Sequence, residues 1–268
     1  MQAYVRFRNL HDSDVPMSRN ILIQKNSKGV LVVDRKHCSE KKYTFDHVFG
    51  PETTQAKVYE TLNMDRVIQQ CLHQRSSLTM LTYGQTGSGR YLFFLFPLIR
   101  FSFSIYIYIV FIGKTFSMFG DLSNHFIKSS NSNSAGVVVR VIRSLFSCSV
   151  KKMKIDFVEL YQNKVYDLLT DTSDMTPLKV RVQPYSTVLD GLSQHKPCCN
   201  ANQVFKHISH GLNKRRVAST NLNRSSSRSH ALLTLTLPDH HMKITFVDLA
   251  VMIKTRHISL IHRICLSK

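Results

Sequence analysis

The stretch Leu78-Thr79-Met80-Leu81-Thr82-Tyr83-Gly84-Gln85-Thr86-Gly87-Ser88-Gly89 is a short apolar run that ends in a glycine-rich loop. Its last six residues fit the opening of G-x-x-x-x-G-K-[S/T], a loop that cradles phosphates. Glycines let backbone N–H groups turn inward on an anion, and a following helix start adds its dipole. The lysine of such a loop reaches the outer phosphates, and the hydroxyl after it meets Mg²⁺. Here Arg90 and Tyr91 follow Gly89 instead. Arg90 can supply charge, but Tyr91 cannot replace a compact metal-binding hydroxyl. The missing half, Gly113-Lys114-Thr115-Phe116-Ser117-Met118, begins 24 residues after Gly89. Removing 24 residues, one of the two flanking glycines included, restores GQTGSGKTFSM.

The interruption, residues 90–112, contains YLFFLFPLIRFSFSIYIYIVFI from Tyr91 to Ile112. It is long enough for a bilayer, which takes about 20 apolar residues. Against a span stand Pro97 and Arg100 in its middle, a second half rich in strand-forming residues, and flanks without anchors. Phe, Ile, Tyr and Leu share T-rich or A/T-rich codons, so the favoured expectation is a translated intron or wrongly joined exon. A membrane-anchored basic protein stays open as an alternative.

Working outward, Ala3, Val5 and Phe7 alternate with polar neighbours and predict a half-buried strand. Ile21–Ile23 and Val30–Val33 flank a polar turn and predict a hairpin. Helical spacing of Val58, Leu62, Val67, Ile68 and Leu72 predicts one helix over Thr53–Gln74. A further helix is expected over Gly136–Phe146, and strands over Met153–Tyr161, Val165–Leu169, Leu178–Val182 and Thr187–Leu192. Asn200–Leu212 reads as a helix with an asparagine cap. Two last strands follow at Leu232–Leu237 and Lys243–Leu249. Strands alternating with helices predict an α/β domain around a central sheet. Ser129–Ser134 is expected to be an exposed polar loop.

The length of 268 residues allows one large domain or two small ones. A net charge of +19 favours an acidic partner: nucleic acid, an anionic membrane or an acidic protein polymer. No zinc-finger spacing or aromatic-basic RNA motif supports nucleic acid, and none is expected as a partner. The six cysteines form no C-x-x-C pair and read as reduced thiols. The N-terminus lacks the apolar stretch of a signal peptide. No heptad run argues for a coiled coil.

Downstream, Asn223-Arg224-Ser225-Ser226-Ser227-Arg228-Ser229-His230 matches N-x-x-S-S-R-S-H, and Phe246-Val247-Asp248-Leu249-Ala250 ends an apolar strand on an aspartate. A strand-terminal Asp after a phosphate loop suits the task of holding Mg²⁺ through its water. In this order, these motifs resemble the phosphate loop, switch I and start of switch II of the kinesin motor domain. Residues 43–60, 156–169 and 211–223 also look like motor-domain segments. The resemblance covers residues 3–89 and 113–250.

It implies an α/β P-loop NTPase with a central mixed, mostly parallel β-sheet flanked by helices, the C-terminal part missing. Residues 1–250 would be a partial motor domain, 90–112 a hydrophobic insertion and 251–268 an unrelated tail. The function implied is ATP hydrolysis coupled to microtubule-based movement, with ATP and Mg²⁺ bound, microtubules as partner and a cytoplasmic, cytoskeletal location. A membrane location is not expected. Gly84, Gln85, Thr86, Gly87, Ser88, Gly89, Gly113, Lys114, Thr115 and Asn223 would contact the nucleotide, with Phe116 able to stack on adenine. Arg6 and Arg8 resemble the family's R-x-R-P base motif, although Asn9 stands in place of proline. Thr115, Ser227 and Asp248 would serve the metal, and Ser226, Ser227, Arg228 and Asp248 catalysis.

One departure bears on activity. The family reads D-L-A-G-S-E where this chain has Val251-Met252-Ile253 after Ala250. The glycine and glutamate that complete switch II are absent there, so the chain is expected to be catalytically impaired. A non-catalytic fragment that binds nucleotide or tubulin weakly is the alternative.

Overall fold

The structure, a computed structural model, describes residues 2–7, 21–34, 39–83, 104–111, 114–120, 134–172, 176–183, 187–193, 197–221, 228–250 and 255–266. The first strands are β1 (Gln2–Arg6), β2 (Ile21–Lys25), β3 (Gly29–Asp34), β4 (Ser39–Thr44) and β5 (His47–Phe49). Helices α1 (Gln55–Thr61) and α2 (Met64–Gln74) precede β6 (Ser77–Tyr83), β7 (Ser104–Phe111) and α3 (Lys114–Phe119). Then come α4 (Val137–Ser147), β8 (Lys154–Tyr161), β9 (Lys164–Asp167), β10 (Pro177–Val182), β11 (Thr187–Asp190) and α5 (Ala201–Asn221). The last elements are β12 (Ser229–Leu237), β13 (Met242–Asp248) and α6 (Thr255–Leu266).

A ten-stranded mixed sheet runs in the order β11-β10-β9-β8-β12-β13-β6-β7-β1-β5, and β2-β3-β4 form a separate sheet. The two orientations are segregated. From β13 through β6, β7 and β1 to β5 every pairing is parallel; from β11 to β13 every pairing is antiparallel. Parallel neighbours put their carboxyl ends along one edge, where ligands of open α/β sheets sit.

The period of two in the strands sorts side chains onto two faces. Leu78, Met80, Ile155, Phe157, Leu233, Ile244 and Phe246 join the core with α1, α2, α4 and α5. Leu81, Val158, Leu160, Leu232, Val247 and Leu249 face the other way, and Ile261 and Ile264 of α6 pack on them. This helix lies in the tail that sequence reading set apart. Its buried His257, Ile261 and Ile264 recur at helical spacing.

Two departures from expectation have local causes. The helix predicted over Thr53–Gln74 is broken, because Asn63 adopts left-handed backbone (φ 51°) and its N–H turns back to the Glu60 carbonyl. Asparagine tolerates that conformation better than most residues. The helix expected to end at Leu212 continues to Asn221, and Asn200 caps it by accepting from the Gln203 N–H at 3.0 Å.

The interrupting segment contributes β7, which lies between β6 and β1 and pairs with both along its length. No helix among the described residues is long and apolar enough to cross a membrane. Past β7, α3 is pinned to the start of α4 by glycine. Gly120 has φ +88°, and a Cβ there would meet the Ser134 carbonyl oxygen. Because β7 is hydrogen-bonded on both sides, Ile107→Pro should destabilise the chain by about 3 kcal/mol through a lost ladder bond and ring clash. Guanidinium unfolding measures it; an unchanged midpoint would exclude β7 from the folded sheet.

Candidate functional site

The carboxyl ends of β1, β6 and β13 carry the polar groups that converge. Asp248 ends β13, paired with Thr82 of β6 and Ala231 of β12. Its carboxylate is almost wholly buried, at 1% exposure. Thr115, in the first turn of α3, donates its hydroxyl to Asp248 Oδ2 at 2.8 Å. Arg215 of α5 donates to the same oxygen at 3.0 Å. The other oxygen, Oδ1, has no hydrogen-bond partner among the described residues.

Arg215 holds more than Asp248. Its Nη2 donates to the Ser229 carbonyl at 3.1 Å, and its Nε lies 3.4 Å from Glu159 Oε1 in an ion pair too poorly aimed for a hydrogen bond. Glu159 is also 1% exposed. One guanidinium therefore faces two buried carboxylates, a formal deficit of one positive charge. Burial of this kind persists only where charges are paired.

A second network positions α3 from the other side. Arg6, at the end of β1, donates to Gln55 Oε1 at 3.0 Å, Ser117 Oγ at 2.9 Å and the Thr53 carbonyl at 2.7 Å. Burial pushes the Arg6 pKa below the ordinary guanidinium value. Gln55 in turn donates to the Phe116 carbonyl at 2.7 Å. Phe116 is left 45% exposed beside this edge.

Thr115, Phe116, Arg6 and Asp248 are thus brought to one edge of the parallel half. Arg228 lies in an exposed turn just before β12. Lys114 opens α3 in backbone; Arg8, Gly84–Gly89, Gly113, Asn223, Ser226 and Ser227 lie outside the described residues.

Sequence reading missed Arg215, Glu159 and Gln55. Signals for the first two existed. Val204, Ile208, Leu212 and Arg215 fall on one helical stripe, so an arginine among them is inside. Glu159 shares a strand face with buried Phe157. Gln55 had no comparable signal, because its buried side depends on where β1 ends.

The family profile described as the kinesin motor domain matches residues 6–91 and 109–260, skipping residues 92–108 inside the interruption. The chain belongs to the kinesin motor domain family. It is 31% identical over 208 residues to human kinesin-like protein KIF15, covering 74% of this chain and 13% of that protein. It is 29% identical over 252 residues to kinesin-like protein KIN-8B of Arabidopsis thaliana, covering 87% of this chain and 27% of that one. Human chromosome-associated kinesin KIF4A is 29% identical over 228 residues, with coverage of 79% and 16%. The chain thus spans under a third of these relatives' lengths. A solved structure of a fast kinesin superposes with TM-score 0.69 at 20% identity, covering 95% of this chain and 66% of that one. The likeness to that structure shows the shared kinesin fold.

The Arg215 cluster gives a direct test. Arg215→Ala would strand two buried carboxylates and should cost about 3–5 kcal/mol in denaturant unfolding. Arg215→Lys, which keeps the charge without the planar fork, should fall between Ala and wild type.

Proposed function

We propose that this chain is the nucleotide-binding part of a kinesin motor, binding ATP with Mg²⁺ at the edge formed by Thr115 and Asp248 and engaging microtubules. The observation that carries it is the 2.8 Å bond from Thr115 to the buried Asp248 carboxylate. It joins the residue after the loop lysine to the strand-terminal aspartate despite the interruption between Gly89 and Gly113.

The donor set suits the ion. A hydroxyl and a carboxylate are the oxygen ligands a hard cation takes. Oδ1 of Asp248, buried without a hydrogen-bond partner among the described residues, would be satisfied by the ion's water. Thr115 and Asp248 would hold Mg²⁺ at this edge, where the ion would supply positive charge against the negative charge of phosphoryl transfer. Arg215 holds Asp248 in place for that contact, while Arg6 and Gln55 fix α3 and so aim Thr115. Phe116 offers an exposed ring on which an adenine could stack. Lys114 and Ser227 belong to the same reading through the family resemblance, as do Arg8, the loop glycines and Asn223. The basic charge favours the acidic surface of a microtubule, and with it a cytoskeletal location in the cytoplasm.

Hydrolysis is a separate matter. Val251-Met252-Ile253 stand where the family has glycine, serine and glutamate, so the group that would pair with Arg228 is absent from that position. The reading is therefore a motor fold that binds nucleotide but turns it over poorly.

Isothermal titration of the 268-residue chain with ATP tests binding. The expected result is Mg²⁺-dependent uptake that Thr115→Ala weakens by about tenfold or more, as loss of a metal-directed oxygen should. No uptake by wild type would overturn the reading. In steady-state assays, added microtubules should not stimulate ATP turnover; appreciable stimulation would refute the proposed impairment. Co-sedimentation with microtubules should occur and weaken as salt rises, since surface charge attraction is screened.

A further inference from the structure

One buried contact outside the carboxylate cluster ties three distant segments together. His230 lies in β12 and is wholly buried; His257 lies in the first turn of α6 at 6% exposure. The Ala250 N–H donates to Nδ1 of His230 at 2.9 Å. Nε2 of His230 lies 3.0 Å from Nδ1 of His257, with the rings edge to face at 5.0 Å between centroids.

The bonding fixes where the protons sit. Since Nδ1 of His230 accepts from an amide, that ring carries its proton on Nε2. It therefore donates to Nδ1 of His257, which must be unprotonated at that nitrogen. The series runs in one direction, from the Ala250 amide through His230 to His257. Replacing any acceptor in it leaves a buried donor unsatisfied.

Its place in the fold gives the series a consequence. Ala250 follows Asp248 by two residues, and His230 follows Arg228 by two. The contact thus ties the backbone just after Asp248 to β12, the strand whose Ala231 pairs with Asp248. We propose that His257 is a positioning residue of the phosphate site: it holds the His230 ring, which holds the Ala250 amide, which sets the strand end bearing Asp248. The partner surface is supplied by α6, whose Ile261 and Ile264 seat it on Val247 and Leu249 of the same strand and its extension. The link to phosphate binding rests on the proposed nucleotide-binding function, whereas the contact itself does not.

Three variants of the 268-residue chain test it: His257→Leu, His257→Gln and His257→Asn. Asparagine can set a carbonyl oxygen near the place of Nδ1; glutamine reaches farther, toward Nε2, and leucine offers no acceptor. The first measurement is hydrogen exchange at the Ala250 amide by NMR, without nucleotide. Exchange should quicken about tenfold in the Leu and Gln variants and stay within about threefold of wild type in Asn, as for loss of one buried hydrogen bond. The second is release of a fluorescent ADP analogue, which should accelerate in the same order. Unchanged exchange in the Leu and Gln variants, or equal behaviour of Asn and Gln, would overturn the contact's role. Uniform nucleotide release across variants that do bind would overturn its link to the site. If wild type binds no nucleotide, the preceding functional reading fails instead, and the exchange pattern alone still decides the contact. Should the Leu variant not fold, the Asn–Gln comparison carries the same decision.

Discussion

A carboxylate buried to 1% exposure must be compensated, and much of the site follows from how this chain compensates Asp248. The hydroxyl of Thr115 and the guanidinium of Arg215 meet on one oxygen, so α3 and α5 are both committed to the end of β13. That accounts for the length of α5. Had it ended at Leu212, as its first apolar stripe suggests, Arg215 would not be presented to Asp248 and Glu159. The same arginine reaches the Ser229 carbonyl and so ties the start of β12 to the pair. Two acids against one base leave the cluster formally short of positive charge. A cation on the open oxygen of Asp248 would close that deficit.

The interrupting segment creates a conflict between two kinds of continuity. A phosphate loop wants Gly89 joined to Gly113, yet the sheet uses residues 104–111 as an interior strand. Neighbouring strands sit about 4.8 Å apart, so removing β7 would leave β6 and β1 roughly twice that distance apart with two ladders unpaired. A chain with a contiguous loop would need another strand in that slot. In the chain as it stands, Tyr83 pairs with Val110, so β6 ends where β7 ends. Tyr83, the last described residue before the interruption, and Thr115, in the first turn after it, therefore adjoin the same sheet edge, which is the geometric reason Thr115 still reaches Asp248.

Much of this was legible in the residues. Alternation in Ala3–Phe7 and Met153–Tyr161 marks strands that the structure contains, and the order of the motifs points to the kinesin motor fold. The strand-terminal aspartate and the hydroxyl of Thr115 stand out in the sequence because phosphate chemistry uses those residue types, and the structure brings the two side chains together. What escaped were features set by tertiary context. An apolar run such as Ile105–Phe111 has no period that separates a strand buried between two neighbours from other apolar segments. The break at Asn63 depends on one residue entering left-handed backbone inside an otherwise helical pattern. Arg215 was hidden in a basic run, Lys214-Arg215-Arg216, although its spacing from Ile208 and Leu212 placed it inward.

The helix α6 shows how an element can be legible and still be overlooked. His257, Leu260, Ile261, Ile264 and Cys265 fall on one helical stripe, although the residues after Ala250 depart from the family pattern. Burial pushes the Cys265 thiol up to about 12, as suits a side chain packed in an apolar setting. Departure from a motif says that an inherited task is altered at that point. It says nothing about whether the new residues fold. Here the stripe covers Val247 and Leu249, which flank Asp248, so the helix that follows the break in the motif helps to hold that aspartate in place.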